Sequence, residues 1–340
     1  MDLRRSDPAE PGLRRVKCGK GFRYIGLDGH PLKDPAEKAR IKALVIPPAW
    51  RDVWICPDHD GHIQAMGTDT AGRRQYLYHD AWREQRDKEK HDHVLELAER
   101  LPDVRATIAT HLAGRGYTRE RVLSAAVRLI DLGFFRIGSE AYAAENGTYG
   151  LATVLREHVT CGKGEVAFDY PAKGSKERFQ RVADEEVCKV VHGLRRRPDD
   201  SPELLAYRTD RGWHDVTASD INDFIREITG GDFTAKDFRT WHATVLAAVG
   251  LAVSVRAAGS DTARNRAIVR VVKEVARYLG NTPAVARASY IDPRIIELYE
   301  EGRTIAPALG ELGVDAEVGQ LATQGPIEQA VLDLLRERGS

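Results

Sequence analysis

The sequence predicts an α+β protein: a small β-rich domain over residues 1–90, followed by a larger, mostly α-helical one that contains a three-stranded β meander. Three observations carry this. Residues 1–80 hold short apolar runs separated by Gly, Pro and Asp-Gly, the pattern of strands and hairpins. From residue 118 onward apolar residues recur at i, i+3, i+4 and i+7, the period of helices packed on a core. Between those helices, residues 157–182 return to alternation.

In the first domain, "GKGFRYIGLDGH" reads as two short strands about a Leu-Asp-Gly turn. "DVWICPDHDGHIQAMG" reads as a hairpin about Asp60-Gly61. The stretch "AWREQRDKEKHDHV" is highly charged with no apolar period and reads as a connector, which puts the boundary near residue 90. A helix then starts at Thr118, keeps Val122, Leu123, Ala126, Leu129 and Ile130 on one side, and stops at Gly133. The meander "EHVTCGKGEVAFDYPAKGSKERFQRV" is broken at Gly162-Lys163-Gly164 and from Pro171 to Lys176. Helices resume over Thr217–Ile228, 234–255 and 264–279, and Pro283 suits the first turn of a further short helix. Residues 91–300 thus make the larger domain. Residues 301–340 form a tail whose amphipathic helix, Ile327 to Arg338, is expected to pack on it.

Composition narrows the function. The 340-residue chain is 42% hydrophobic, enough to bury two cores. No run approaches the roughly 18 apolar residues that span a bilayer, and "MDLRRSDPAEPGLRR" lacks the apolar stretch of a signal peptide. Cys18, Cys56, Cys161 and Cys188 form no CxxC pattern, so a reduced, cytoplasmic setting is expected. The net charge is zero, but residues 301–340 carry seven acidic against three basic side chains, leaving the rest of the chain positive. Basic clusters at Arg14-Arg15-Val16-Lys17, Arg73-Arg74 and Arg195-Arg196-Arg197 permit a polyanionic partner without requiring one.

Neither a phosphate-binding GxxxxGK[ST] loop nor GxGxxG is present, so no nucleotide cofactor is implied. Cys56, His59 and His62 are spaced at three but sit on a hairpin with no second ligand pair, a poor metal site. What remains is a set of cations and one tyrosine: Arg136 in "GFFRIGSE", Lys173 in "PAKGSK", Arg239 in "KDFRTWHAT", Asn281 and Tyr290 in "LGNTPAVARASY". Each has a bland reading. Arg136 fits an ion-paired surface arginine, Lys173 a solvated turn, and Arg239 a partner of Asp237 or Asp232. Asn281 fits the left-handed residue after a helix end, and Tyr290 a core aromatic with a wet tip.

Taken together, "FRIGSEAYAAENGTYGLATV", "PAKGSK", "KDFRTW" and "LGNTPAVARASY" stand in the order and spacing of the type IB DNA topoisomerases. The chain most resembles their short poxvirus and bacterial branch, over about residues 13 to 300. "IPPAWRDVWICPDHDGHIQAMGTDTAGRRQYLYH" is similar to that branch's β-rich DNA clamp, whose signature is Gly-Arg-Lys-Gln-Tyr. The resemblance implies a clamp domain and a catalytic domain related to the tyrosine recombinases. It implies Arg136, Lys173, Arg239, Asn281 and Tyr290 as catalytic residues, with Tyr290 the nucleophile and Lys173 the general acid. It further implies DNA contacts from Arg73, Arg74, Gln75, Tyr76, Tyr78 and Tyr142. The implied substrate is double-stranded DNA, held by a monomer acting as a clamp, without metal, ATP or other cofactor.

This chain departs from the family at four places. Ala172 precedes the lysine where many relatives have Gly, and Lys176 lies three residues on as an alternative acid. Asn281 stands where His is common, so the position keeps a hydrogen-bond donor and loses a charge. Ser139 replaces Lys or Asn, and Arg74 replaces the Lys of the clamp signature. A tyrosine recombinase is the competing reading, but Lys236 stands where those enzymes usually carry His. A DNA-binding protein without activity is a third.

The residue types suit the implied reaction, nicking one strand through a 3′-phosphotyrosine. Fixed cations aimed at the non-bridging oxygens stabilise the charge that grows there, each worth roughly 10²–10³ in rate. The leaving alkoxide, near water in basicity at about 15.7, needs a proton that a lysine of about 10.4 can give. The covalent link conserves the phosphodiester's energy, so no ATP loop is needed.

Overall fold

A computed structural model describes residues 3–162, 164–174, 176–255, 260–311 and 323–337. The chain divides into two compact units, Met1–Asp92 and His93–Ser340.

The first unit contains β1 (Leu13–Cys18), β2 (Gly21–Ile25), α1 (Pro35–Ala43), β3 (Arg51–Ile55), β4 (Ile63–Thr68) and β5 (Arg74–Tyr78), with sheet order β2-β1-β3-β4-β5. Every pairing is antiparallel. The β3–β4 hairpin spans Asp60-Gly61 as expected. The first hairpin turns earlier than the sequence predicts. Cys18 pairs with Gly21, and Gly19 at φ +57° supplies the left-handed residue the tight turn requires. Leu27-Asp28-Gly29 makes a separate turn after β2, where the Asp28 carboxylate accepts from the His30 N–H at 2.9 Å.

Helix α1 has no counterpart in the sequence reading. Asp34 caps it and Pro35 opens it, but "PAEKARIKA" buries only Ile41 and so carries no apolar period to read. Ile41 joins Leu13, Val53, Ile55 and Ala65 in the sheet's core. Arg15, in the first basic cluster, is structural: buried, it donates to the carbonyls of Ile46, Pro47 and Trp50. Cys56 is buried and His62 Nδ1 accepts the Ser6 N–H at 2.9 Å, so these two serve packing and chain pairing.

The charged stretch read as a connector is helical: α2 runs from Asp80 to Leu112, 33 residues. Its first turns are held by pairs at i, i+3 and i+4, among them Asp80–Arg83, Arg86–Glu89 and Gln85–Glu89. Such turns need no apolar stripe, which is why a hydrophobic period did not reveal them.

Then follow α3 (Arg119–Gly133), α4 (Glu140–Asn146), the meander β6 (Val159–Cys161), β7 (Glu165–Ala172) and β8 (Lys176–Ala183), and α5 (Glu185–Arg195). A hairpin of β9 (Ala206–Thr209) and β10 (Gly212–Asp215) precedes α6 (Ala218–Thr229), α7 (Ala235–Ser254), α8 (Asp261–Leu279), α9 (Pro283–Ser289), α10 (Pro293–Glu300), α11 (Ala306–Glu311) and α12 (Pro326–Arg336). Thr118 and Thr217 cap α3 and α6, and Pro283 opens α9, as expected. Helix α7 lies at the centre, burying Phe238, Trp241 and Val245 against α3, α8 and α10. Within the tail, α12 buries Val331, Leu332 and Leu335 and packs on α7. Among the described residues no helix is long and apolar enough to cross a membrane.

Candidate active site

The C-terminus of α8 organises the site. A helix end leaves its last carbonyls without intrahelical partners and carries the negative end of the helix dipole. Here arginines take those carbonyls. Arg178 on β8 donates through Nη1 to the Arg277 carbonyl at 3.4 Å and through Nη2 to that of Tyr278. Arg239 Nη2 donates to the Leu279 carbonyl at 2.9 Å, and Arg136 Nη2 to that of Gly280 at 3.0 Å. Three guanidiniums from three distant segments thus converge on one helix end. Gly280, at φ +67°, is the left-handed residue that closes α8. Asn281 follows it and donates its N–H to the Ala276 carbonyl at 2.9 Å.

Arg239 sits in the second turn of α7 and is 3% exposed. Its bland reading, pairing with Asp237 or Asp232, fails: its second donor, Nη1, reaches the Phe134 carbonyl instead. Phe134 ends α3 in the left-handed region, φ 55°, a conformation an L-aromatic rarely adopts and one that aims its carbonyl at Arg239. Burial lowers the Arg239 guanidinium to about 10, still high enough to keep its charge at neutral pH.

Arg136 lies just past that break. Its backbone is held by the segment after α4: Leu151 N–H donates to the Arg136 carbonyl at 2.8 Å and Ala152 N–H to that of Ile137 at 2.7 Å. The same segment reaches the meander, where Tyr149 N–H donates to the Pro171 carbonyl at 2.8 Å. Gly138 and Gly150 pass so closely that a Cβ on Gly150 would meet the Gly138 backbone at 2.5 Å. The loop bearing Arg136 and the β7–β8 hairpin bearing Lys173 are therefore stapled together.

Arg136, Lys173 and Asn281 line one groove of about 230 Å³. Lys176, Arg178 and Arg277 line it too, against one carboxylate, Glu177. Lys173, in the hairpin turn, and Lys176, at the start of β8, both line the groove. Arg178 was missed by the sequence reading, although "KERFQR" alternates and places it on one face of β8 with Lys176 and Gln180.

Tyr290 caps the C-terminus of α9, its carbonyl accepting from Thr244 of α7 at 3.3 Å. The guanidinium carbon of Arg239 lies 5.6 Å from its ring centroid. Burial raises the phenol's pKa, but Arg239's charge and hydrogen bond, with the Arg136 charge, outweigh it and leave it below the ordinary value. Asn281 also accepts from Arg136 through Oδ1, and its buried Nδ2 makes no hydrogen bond of its own. This unpartnered buried donor stands beside a tyrosine and two arginines, an arrangement that can accept an anionic oxygen.

The DNA-contact candidates other than Tyr142 fall on the first unit. Strand alternation puts Arg74, Tyr76 and Tyr78 on the exposed face of β5, with the two tyrosine rings 6.1 Å apart and stacked. Gln75 turns to the other face and donates to Asp69 Oδ2 at 3.0 Å. Arg73 also pairs with Asp69, at 2.9 Å, while Asp69 accepts the N–H groups of Ala71 and Arg73 and so shapes the β4–β5 turn. The side chain of Tyr142, on α4, lies outside the described residues.

Two family models match the chain. Residues 79–304 match the family described as eukaryotic DNA topoisomerase I, catalytic core, and residues 21–69 match bacterial DNA topoisomerase IB, N-terminal domain. The chain is 29% identical over 299 residues to a DNA topoisomerase 1B of Acanthamoeba polyphaga mimivirus, covering 85% of this chain and 88% of that relative. It is 20% identical over 236 residues to the DNA topoisomerase I of Monkeypox virus and the DNA topoisomerase 1B of Vaccinia virus (strain Copenhagen), covering 69% of this chain and 72% of each.

Proposed function

The chain belongs to the type IB DNA topoisomerases, and from that premise we propose that the groove at the end of α8 is where it cuts and reseals one DNA strand. As a member of this family it relaxes supercoiled duplex DNA. The observation that carries the site assignment is the convergence of Arg136, Arg178 and Arg239 on the α8 carbonyls beside a tyrosine of lowered pKa.

In the cleavage step Tyr290 gives its phenolic proton to water, and the phenolate oxygen attacks phosphorus. A Tyr–O–P bond forms and the P–O5′ bond breaks. Lys173, or Lys176, gives a proton to the departing 5′-oxygen. Arg136, Arg239 and the Asn281 amide hold the non-bridging oxygens, and Arg178 adds charge along the groove. In the return step the 5′-hydroxyl attacks the phosphotyrosine and the phenol leaves, a better leaving group than an alkoxide because its pKa is about 10. Bond energy is stored in the phosphotyrosine throughout, so the cycle consumes no nucleotide.

The β-rich unit supplies a DNA clamp with Arg74, Tyr76 and Tyr78 on its reading face, and the protein works as a cytoplasmic monomer around one duplex. The helical unit, with its meander and its Arg–Lys–Arg–Tyr set, is related to the tyrosine recombinase catalytic fold.

Purified protein should relax both positive and negative supercoils in EDTA without ATP. Under denaturing arrest it should carry a covalent DNA adduct that Tyr290→Phe abolishes. An adduct that persists in that variant would remove Tyr290 from the mechanism.

A further inference from the structure

We propose that the C-terminal helix α12 is a working part of the active site, with Glu328 a positioning residue for Arg136 and Arg239. This rests on the role given to those two arginines above.

Glu328 is 7% exposed, a charged residue on the buried face of a tail helix. Its Oε1 accepts from the Trp241 indole N–H at 2.9 Å and from Arg105 Nη2 at 3.0 Å. Its Oε2 accepts from Arg105 Nη1 at 2.5 Å and from the Gly325 N–H at 3.0 Å. Arg105, on α2, also forks onto Asp131 of α3, with both contacts at 2.9 Å. Gln324 donates to Asp131 Oδ2 at 3.1 Å, and His242 Nε2 lies 3.2 Å from Oδ1. Burial alone would raise Asp131, but His242 and Arg105 hold it well below the usual carboxylate range, so Asp131 is ionised at neutral pH.

The position of this cluster gives it consequence. Asp131 lies in the last turn of α3, just before Phe134, whose carbonyl takes Arg239, and before Arg136 itself. Trp241 and His242 follow Arg239 within one turn of α7. The cluster therefore ties the end of α3 to the turn of α7 that carries Arg239, and Glu328 closes it from a fourth helix, through Arg105 of α2. Buried ion pairs are poor sources of stability but hold groups in one geometry. A helix N-cap alone would not need Glu328 buried or bonded to Trp241, whose indole N–H is fully desolvated and has to find a partner.

The test uses the full chain and compares wild type with Glu328→Ala, Glu328→Gln, Trp241→Phe and, on the exposed side of α12, Gln329→Ala. Single-turnover cleavage at saturating duplex, duplex affinity and melting temperature are measured, with all rates taken well below every melting transition. Glu328→Ala should cleave between about 10- and 100-fold more slowly, the scale of a misplaced catalytic group, with affinity unchanged. Glu328→Gln, which keeps an acceptor for Trp241, should fall between Ala and wild type, and Gln329→Ala should match wild type. If Glu328→Ala does not fold, Glu328→Gln and Trp241→Phe still report. Lowered melting temperatures with wild-type cleavage rates would make α12 a structural tail and overturn the proposal. Tyr290→Phe, run alongside, separates the two claims: if it still forms adduct, the site assignment itself is wrong. If it forms none while Glu328 variants cleave normally, only the positioning role is lost.

Discussion

The guanidinium carbon of Arg239 stands 5.6 Å from the ring centroid of Tyr290, and two tyrosines near the same arginines respond in opposite ways. Burial pushes Tyr170 up to about 12 despite Arg178, Arg239 and Arg136. Tyr290 is also raised by burial, yet the same kind of cations carry it below the ordinary value. In the cleavage step proposed above the attacking species is the phenolate. Cleavage rate at saturating DNA should therefore rise with pH and level off below the ordinary tyrosine value of about 10. Arg239→Gln removes the largest charge acting on Tyr290 and should shift that midpoint upward. A midpoint that does not move would mean Arg239 acts on the phosphate alone.

Arg136→Ala and Arg239→Ala should each slow cleavage and religation by roughly 10²–10³-fold, the usual worth of one donor to a developing oxyanion. Their effects should not add, because both side chains hang from neighbouring carbonyls at the end of α8, and losing one lets the other relax. The two should differ in stability. Arg239 is almost fully buried and holds α3 to α8, so its removal orphans the Phe134 and Leu279 carbonyls and should lower the melting temperature more than removal of half-buried Arg136. Melting curves beside rate measurements test both statements.

Lys173 and Lys176 line the same groove, and a change of leaving group tells them apart. A substrate with sulfur in place of the bridging 5′-oxygen expels a thiolate, whose conjugate acid, at about 8.5, needs no proton at neutral pH. The lysine that acts as the acid should show a large rate loss on the oxygen substrate when changed to Ala and near wild-type cleavage on the sulfur one. The other should show a similar, modest effect on both. If neither variant is rescued, protonation comes from elsewhere.

How far the sequence anticipated this site follows from what a linear pattern can carry. Helices α3, α6, α7 and α8 show their apolar stripes in the residues themselves, and the meander shows its alternation and its breaking glycines. Helix α1 and the first turns of α2 have no stripe and were not visible. The meeting of Arg136 and Arg239 at one helix end was not legible either from charge or spacing, because their partners are main-chain carbonyls, which no side chain announces. Resemblance of whole motifs supplied what the residues singly did not. Arg178 lies outside those motifs, and the Glu328 cluster joins four helices whose proximity only the fold creates.

The register of β5 separates contacts that the Gln-Tyr motif groups together. Arg74, Tyr76 and Tyr78 share the exposed face, whereas Gln75 and Arg73 are engaged by Asp69 in the β4–β5 turn. Arg74→Ala should weaken DNA binding and lower the salt slope of affinity by about 1, as expected for one lost phosphate contact. Tyr76→Ala removes a stacking or apolar contact and should weaken binding with the salt slope unchanged. Gln75→Ala should do less than either unless DNA draws Gln75 away from Asp69, and Asp69→Ala distinguishes these cases. By releasing Gln75 and Arg73 together it should loosen the turn. If affinity then rises, Asp69 restrains two DNA contacts in the free protein; if it falls, Asp69 holds the turn in its binding shape. Filter binding across a salt series with each variant separates the outcomes, and a salt slope untouched by Arg74→Ala would remove β5 from the phosphate-contacting surface.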